Sequence, residues 1–161
     1  MKNICVIFII FLVTSCNEKE SQLTGKADVK SIDNDVKKYV PKVGAVNAST
    51  MDLNPEGLFC LKGSDIPYTG KTFSLWPNGN IEAEGNMKNG RPDGLVSMWY
   101  ETGEKAGEGG YKNNQRDGLV IEWHKNGQKK MEQMFKDGKL LSENFWNNKG
   151  ESVQNYDETE K

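Results

Sequence analysis

The sequence predicts an all-β protein: an elongated antiparallel β-meander built of 24-residue hairpin repeats in a single-layer, open sheet. Three observations carry this expectation. Gly70, Gly94 and Gly118 stand 24 residues apart, Gly79, Gly103 and Gly127 keep the same interval, and all six read as structural turn glycines. Between each pair the chain restates one phrase (Lys71 to Asn78, Leu95 to Thr102, Leu119 to Asn126) with apolar and aromatic residues at matching places. Asn78-Gly79 and Asn126-Gly127 close two of the phrases with the pair that best favours a tight hairpin. A fixed period of this length marks stacked units, each burying its apolar face only against its neighbours.

The elements follow in order. Met1-Lys2-Asn3 precedes an almost wholly apolar run from Ile4 to Val13. That run is short for a bilayer span and suits a secretory signal. It leads into Val13-Thr14-Ser15-Cys16, which resembles the bacterial lipobox, where small residues precede a cysteine that takes lipid. Residues 1–15 are therefore expected to be a lipoprotein signal peptide, with Cys16 the lipidated residue. Asn17 stands where many inner-membrane lipoproteins carry a retention aspartate, so the resemblance implies a secreted protein anchored at the outer membrane. Cys5 leaves with the signal, and Cys60 becomes the single thiol of the mature body. No intramolecular disulfide and no cysteine-based metal cluster are expected, and Cys60 reads as a small buried hydrophobe.

Residues 16–54 read as a polar tether. Val29, Ile32, Val36 and Val40 also admit a short amphipathic helix before Pro41. The repeat domain is expected over 55–150, opening with a strand at Leu58 to Lys62. Full repeats lie near 70–93, 94–117 and 118–140, followed by a degenerate unit at 141–150. Each is strand, turn, strand, second turn. The second turns are Lys88-Asn89-Gly90, Lys112-Asn113-Asn114 and Lys136-Asp137-Gly138. Asn114 can replace glycine there because asparagine tolerates the left-handed conformation. Gln128 to Phe135 is helical by local propensity, but it aligns with the glycine-bearing segments 80–87 and 104–111, so strand is the better reading.

Alternation places Phe73, Leu75, Ser97, Trp99, Ile121 and Trp123 on one side of the first strands. On the second strands Met87, Tyr111 and Phe135 form one column and Ala83, Gly107 and Met131 another, with Glu84, Glu108 and Glu132 facing the opposite way. Trp146 lies 23 residues after Trp123, one short of the period. The segment 151–161 reads as an acidic, flexible tail.

The phrases Tyr68-Thr69-Gly70, Asp93-Gly94-Leu95 and Asp117-Gly118-Leu119, with the Trp-Tyr and Trp-His pairs before each turn, are similar to the bacterial MORN-repeat variant. More narrowly they resemble the YwqK-family antitoxin proteins. The resemblance covers roughly Leu58 to Gly150. It implies a MORN-like β-repeat fold, and in the antitoxin case a protein that neutralises a cognate toxin by direct binding.

Composition narrows the chemistry. A formal net charge of −2 gives no electrostatic case for nucleic acid. His124, the single histidine, occupies the column of Trp76 and Tyr100 and most simply replaces an aromatic on the sheet. The glutamate ladder is a poor acid/base pair, because repeat-equivalent carboxylates have similar surroundings while glycoside hydrolysis needs unlike ones. It reads as a solvated face near Lys88, Lys112 and Lys136, or as an acidic strip. The aromatics either cover the sheet or anchor a partner. Trp76, Trp99, Tyr100, Trp123 and His124 are the candidate partner-binding residues. The expectation is a non-catalytic protein with no catalytic residues, no cofactor, no metal and no small-molecule substrate, whose repeat surface binds a protein or glycan.

Overall fold

The computed structural model describes residues 39–160. The signal-like run, Cys16 and the greater part of the expected tether lie outside the described residues. Twelve strands follow one another: β1 (Val46–Asn47), β2 (Met51–Leu53), β3 (Phe59–Leu61), β4 (Gly70–Leu75), β5 (Ile81–Lys88), β6 (Arg91–Pro92), β7 (Gly94–Trp99), β8 (Lys105–Lys112), β9 (Gln115–Trp123), β10 (Lys129–Lys136), β11 (Lys139–Trp146) and β12 (Ser152–Val153). One open sheet runs β1-β4-β5-β7-β8-β9-β10-β11-β12, with β6 on β5, and β2-β3 form a separate pair. Among the described residues only β1 runs parallel to its neighbour, β4. The expected meander of hairpins is the observed architecture. β10 is paired on both sides, so repeat context overrides its helical propensity.

Two kinds of turn close the hairpins. At one margin Asn89 and Gly90, Asn113 and Asn114, and Asp137 and Gly138 all have positive φ, with Asn114 at 68°. These two-residue turns match the twist of the flanking strands. At the other margin the N–H of Trp76, Tyr100, His124 or Asn147 donates to the carbonyl four residues on. The glycine three residues on donates back in each case, at Gly79, Gly103, Gly127 and Gly150. The same pair of bonds at Asn147 identifies the degenerate unit as a fourth repeat.

Gly70, Gly94 and Gly118 are not in turns. Gly70 opens β4, Gly94 opens β7 and Gly118 lies inside β9. Between Pro92 and Ser97, and between Arg116 and Val120, the chain carries two residues more than the facing strand. Gly94 and Gly118 sit in these bulges at φ of 100° and 99°, a region costly for residues with a Cβ. In the last unit the register skips Leu141 alone. One bulged residue instead of two explains why Trp146 arrives one place early.

Pairing fixes the two faces. Thr72, Ser74, Ala83, Met87, Val96, Tyr111, Val120, Met131, Phe135 and Phe145 fill the buried face. Glu84, Glu108 and Glu132 lie on the other, as alternation predicts, and they share it with Phe73, Ser97 and Ile121. The apolar column of the first strands on the buried face is thus Thr72-Val96-Val120, not the Phe73-Ile121 column.

Both ends depart from the sequence reading. The segment from Tyr39 to Leu53 is not tether. Tyr39 packs on Phe73 with ring centroids 5.6 Å apart, β1 joins β4, and Asn47 caps a 3-10 turn at Ala48–Thr50. The acidic tail is likewise built in. β12 pairs with β11, and Tyr156 meets Phe145 edge-on at 6.2 Å. Neither segment carries the period, so the repeat pattern gave no sign of them.

Candidate functional site

Each aromatic column serves a distinct purpose. Trp76 Nε1 donates to the carbonyl of Trp99 at 2.9 Å, and Tyr100 Oη donates to that of Trp123 at 2.7 Å. His124 Nε2 lies 2.9 Å from the carbonyl of Trp146. A carbonyl only accepts, so Nε2 carries the proton. Trp76, Tyr100 and His124 are therefore clamps between successive repeats, and His124 is buried. Their polar ends are engaged by the protein's own backbone rather than turned toward a partner.

At the opposite margin Thr69, Asp93 and Asp117 accept from the N–H groups of Asn89, Asn113 and Asp137. The N–H groups of Gly90, Asn114 and Gly138 donate to the carbonyls of Tyr68, Pro92 and Arg116. The Asp-Gly phrase thus stitches each bulge to the next tight turn. Asp117 also pairs with Lys136 at 3.1 Å, and the backbone bond from Asp137, then Lys136, holds its carboxyl below the usual range. The sequence marked these aspartates as part of a repeated phrase but gave them no role. Their 24-residue spacing with the turns was the available signal.

Trp99 and Trp123 behave differently. Lys105 Nζ lies 5.9 Å from the Trp99 ring centroid and 5.6 Å from that of Trp123, and Lys129 Nζ lies 5.3 Å from Trp146. Lys105 pairs with Glu108, and Lys129 with Glu132 at 2.5 Å. Glu84 takes Lys42 at 2.5 Å and Tyr39 at 3.2 Å. The lysines on the glutamate ladder are thus Lys42, Lys105 and Lys129, not Lys88, Lys112 and Lys136. Exposed ion pairs of this kind add little stability but orient their side chains. Further along the same face Leu95, Leu119 and Met134 remain 55%, 42% and 38% exposed, with Leu119 directly opposite Met134. The result is a strip of indoles and lysines, then carboxylates, then open apolar side chains. It repeats every two strands, or about 9.6 Å.

One titratable cluster lies on the buried face. Tyr156 Oη donates to Glu122 at 3.1 Å, while Lys130 stacks 4.6 Å from the Tyr156 ring and pairs with Glu160. Burial pushes the Glu122 carboxyl up, against the opposing pull of Tyr156, Lys130 and Arg116. A raised carboxyl favours the folded state when protonated. Its penalty is absent below the ordinary carboxylate pKa and complete above the folded one. Glu122→Gln is expected to raise the thermal midpoint at neutral pH, with the gain shrinking as pH falls through the raised carboxyl and gone below about 4.3. Equal midpoints for both proteins at neutral pH would refute the burial penalty. Cys60 is buried in β3, with its Sγ 3.5 Å from the Leu58 carbonyl, in keeping with a packing role.

The geometry defines a class: an open β-repeat protein whose units are joined by side-chain clamps along both margins. The MORN repeat variant matches it at residues 68–89, 92–113 and 116–137, three consecutive repeats in phase with the hairpins. No curated protein and no solved structure matches the chain. MORN repeats are commonly protein- or membrane-binding modules and are typically non-catalytic.

Proposed function

We propose that this is a non-catalytic binding module that holds a protein partner on the open face of its sheet, fixed to an envelope membrane through lipid on Cys16. The observation that carries the reading is the uncovered row Leu95, Leu119 and Met134, in line with Trp99 and Trp123. Contiguous apolar side chains rimmed by charge mark interaction surfaces. Lys105 beside both indoles occupies the approach a stacked sugar ring would use, which favours protein over glycan. The anchor rests on Cys16 directly after the apolar run Ile4 to Val13.

In-cell crosslinking of the full chain tests both parts. The wild type is expected in the membrane fraction with a specific crosslinked protein. Leu95→Asp with Leu119→Asp is expected to lose that protein, while Leu53→Asp, on the separate β2-β3 pair, keeps it. Unchanged capture by the double variant defeats the open-face reading, and a Cys16→Ser chain that stays in the membrane defeats the anchor. Recovery of a toxin as the captured protein would give the surface the neutralising role that the YwqK-like phrases imply.

A further inference from the structure

The open apolar row changes character at its near end. Lys71, Leu95 and Leu119 stand 24 residues apart, and so do Asn86, Gly110 and Met134. Pairing sets Lys71 opposite Asn86, Leu95 opposite Gly110 and Leu119 opposite Met134, one row across the strands from β4 to β10. Where the later units carry leucine and methionine, the first carries a cation and an amide. Among the described residues neither the Lys71 nor the Asn86 side chain has a hydrogen-bond or ion-pair partner. A Cβ at Gly94 would lie 3.4 Å from Asn86 Nδ2, so the glycine keeps that amide open. Both side chains line a cavity of about 340 Å³ together with Leu95 and Ser97. Ser97 is only 7% exposed, yet its hydroxyl makes no hydrogen bond among the described residues. The segment 39–45 walls the cavity with Tyr39, Lys42 and Ala45. Ala45 directly precedes Val46, which pairs with Thr72, so the segment comes round beside Lys71 and closes the row beyond it.

We propose that this cavity takes the C-terminal carboxylate of an extended peptide laid along the row, with an apolar last side chain. The inference rests on the reading of the open face as the partner surface and names the part of the partner that arrives there. Lys42 is engaged by Glu84, which leaves Lys71 to meet a ligand anion. Lys71 Nζ, Asn86 Nδ2 and the Ser97 hydroxyl are three donors for a group that only accepts, and bonds from a cation to a carboxylate are the stronger kind. The cavity asks for a carboxylate at Lys71 and an apolar group at Leu95. An α-carboxylate meets both, because the charge and the last side chain branch from one carbon. A glutamate or aspartate side chain ends in its charge, with nothing apolar beyond it. A chain arriving from Met134 meets Leu119 and Leu95 in turn and then stops against the segment 39–45, where a terminus fits and a continuing chain does not.

Fluorescence anisotropy with the full-length chain in mild detergent provides the test. The probe is an N-terminally labelled heptapeptide of alternating leucine and serine that ends in leucine. Its length matches the row, since five strand spacings make about 24 Å and an extended residue about 3.4 Å. The free acid is expected to bind saturably, and the carboxamide-ended peptide at least tenfold more weakly. Lys71→Met, with circular dichroism as the fold control, is expected to weaken the free acid at least tenfold and leave the carboxamide unchanged. Equal binding of acid and carboxamide, no binding of either, or a folded Lys71→Met chain that still prefers the acid overturns the proposal. So does N-acetyl-leucine binding as tightly as the heptapeptide, which would make a free small carboxylate the occupant. A carboxamide-ended peptide with an internal glutamate that matches the free acid overturns it too, in favour of a side-chain carboxylate. The open-face reading fails separately: equal binding of acid and carboxamide that Leu119→Asp abolishes would strike the terminus and keep the face.

Discussion

Gly110→Ala is expected to lower stability by about 3 kcal/mol, the upper part of the range for overpacking a well-packed site. A Cβ at Gly110 would lie 2.2 Å from the carbonyl oxygen of Asp117 and 3.4 Å from its carbon. Both atoms are backbone, held by the β8-β9 ladder and by the bond from Asp137 to the Asp117 side chain. Neither strand can move aside without breaking a bond that joins two repeats. Gly79→Ala makes a useful contrast, since nothing stands within 4 Å of its would-be Cβ and only the positive φ of 88° resists. That substitution is expected to cost about 1–2 kcal/mol. Urea denaturation of the two variants should rank them in this order, and a Gly110→Ala chain as stable as the wild type would mean that β8 and β9 do not approach so closely.

Phe135→Ala should be nearly as damaging, at about 3 kcal/mol. Phe135 is buried on the packed face, with the Arg116 guanidinium 5.0 Å over its ring. The low end of the usual Phe→Ala range applies because a single-layer sheet can settle partly into the space. The distribution of the damage is the sharper expectation. Stability in stacked repeats is approximately a sum of unit and nearest-neighbour terms. Hydrogen exchange should therefore quicken across β9, β10 and β11 while β4 and β5 keep most of their protection. Uniform loss of protection from β4 to β11 would show instead that the sheet unfolds as one cooperative block.

Much of this molecule was readable from its period. The interval of 24 residues located both classes of turn, anticipated positive φ at Asn114 and made β10 a strand against its own propensity. It also put the glutamates opposite Ala83 and Met131. What it hid were relations that cross one interval. Trp76, Tyr100 and His124 looked like a surface set because nothing in a single hairpin reveals that each reaches a carbonyl in the next. Asp93 and Asp117 were legible only as a repeated phrase for the same reason. The placement of Phe73 beside Glu84 needed the bulge register, and bulges shift parity without altering composition. Tyr39 and Tyr156 fall outside the repeats altogether, where one aromatic in a polar segment does not announce the ring it will meet.

The clamps along the turn margin have a direction. Trp76 gives its bond to the second unit, Tyr100 to the third and His124 to the fourth, never the reverse. Every internal unit therefore offers the same socket behind and the same plug ahead. In-frame duplication of one 24-residue segment would leave no plug or socket unmatched. Sheet length is then free to drift over generations by copying, without any residue having to be redesigned, while the two dissimilar ends stay as they are. A protein built this way can change its reach by whole steps of about 9.6 Å, the width of two strands.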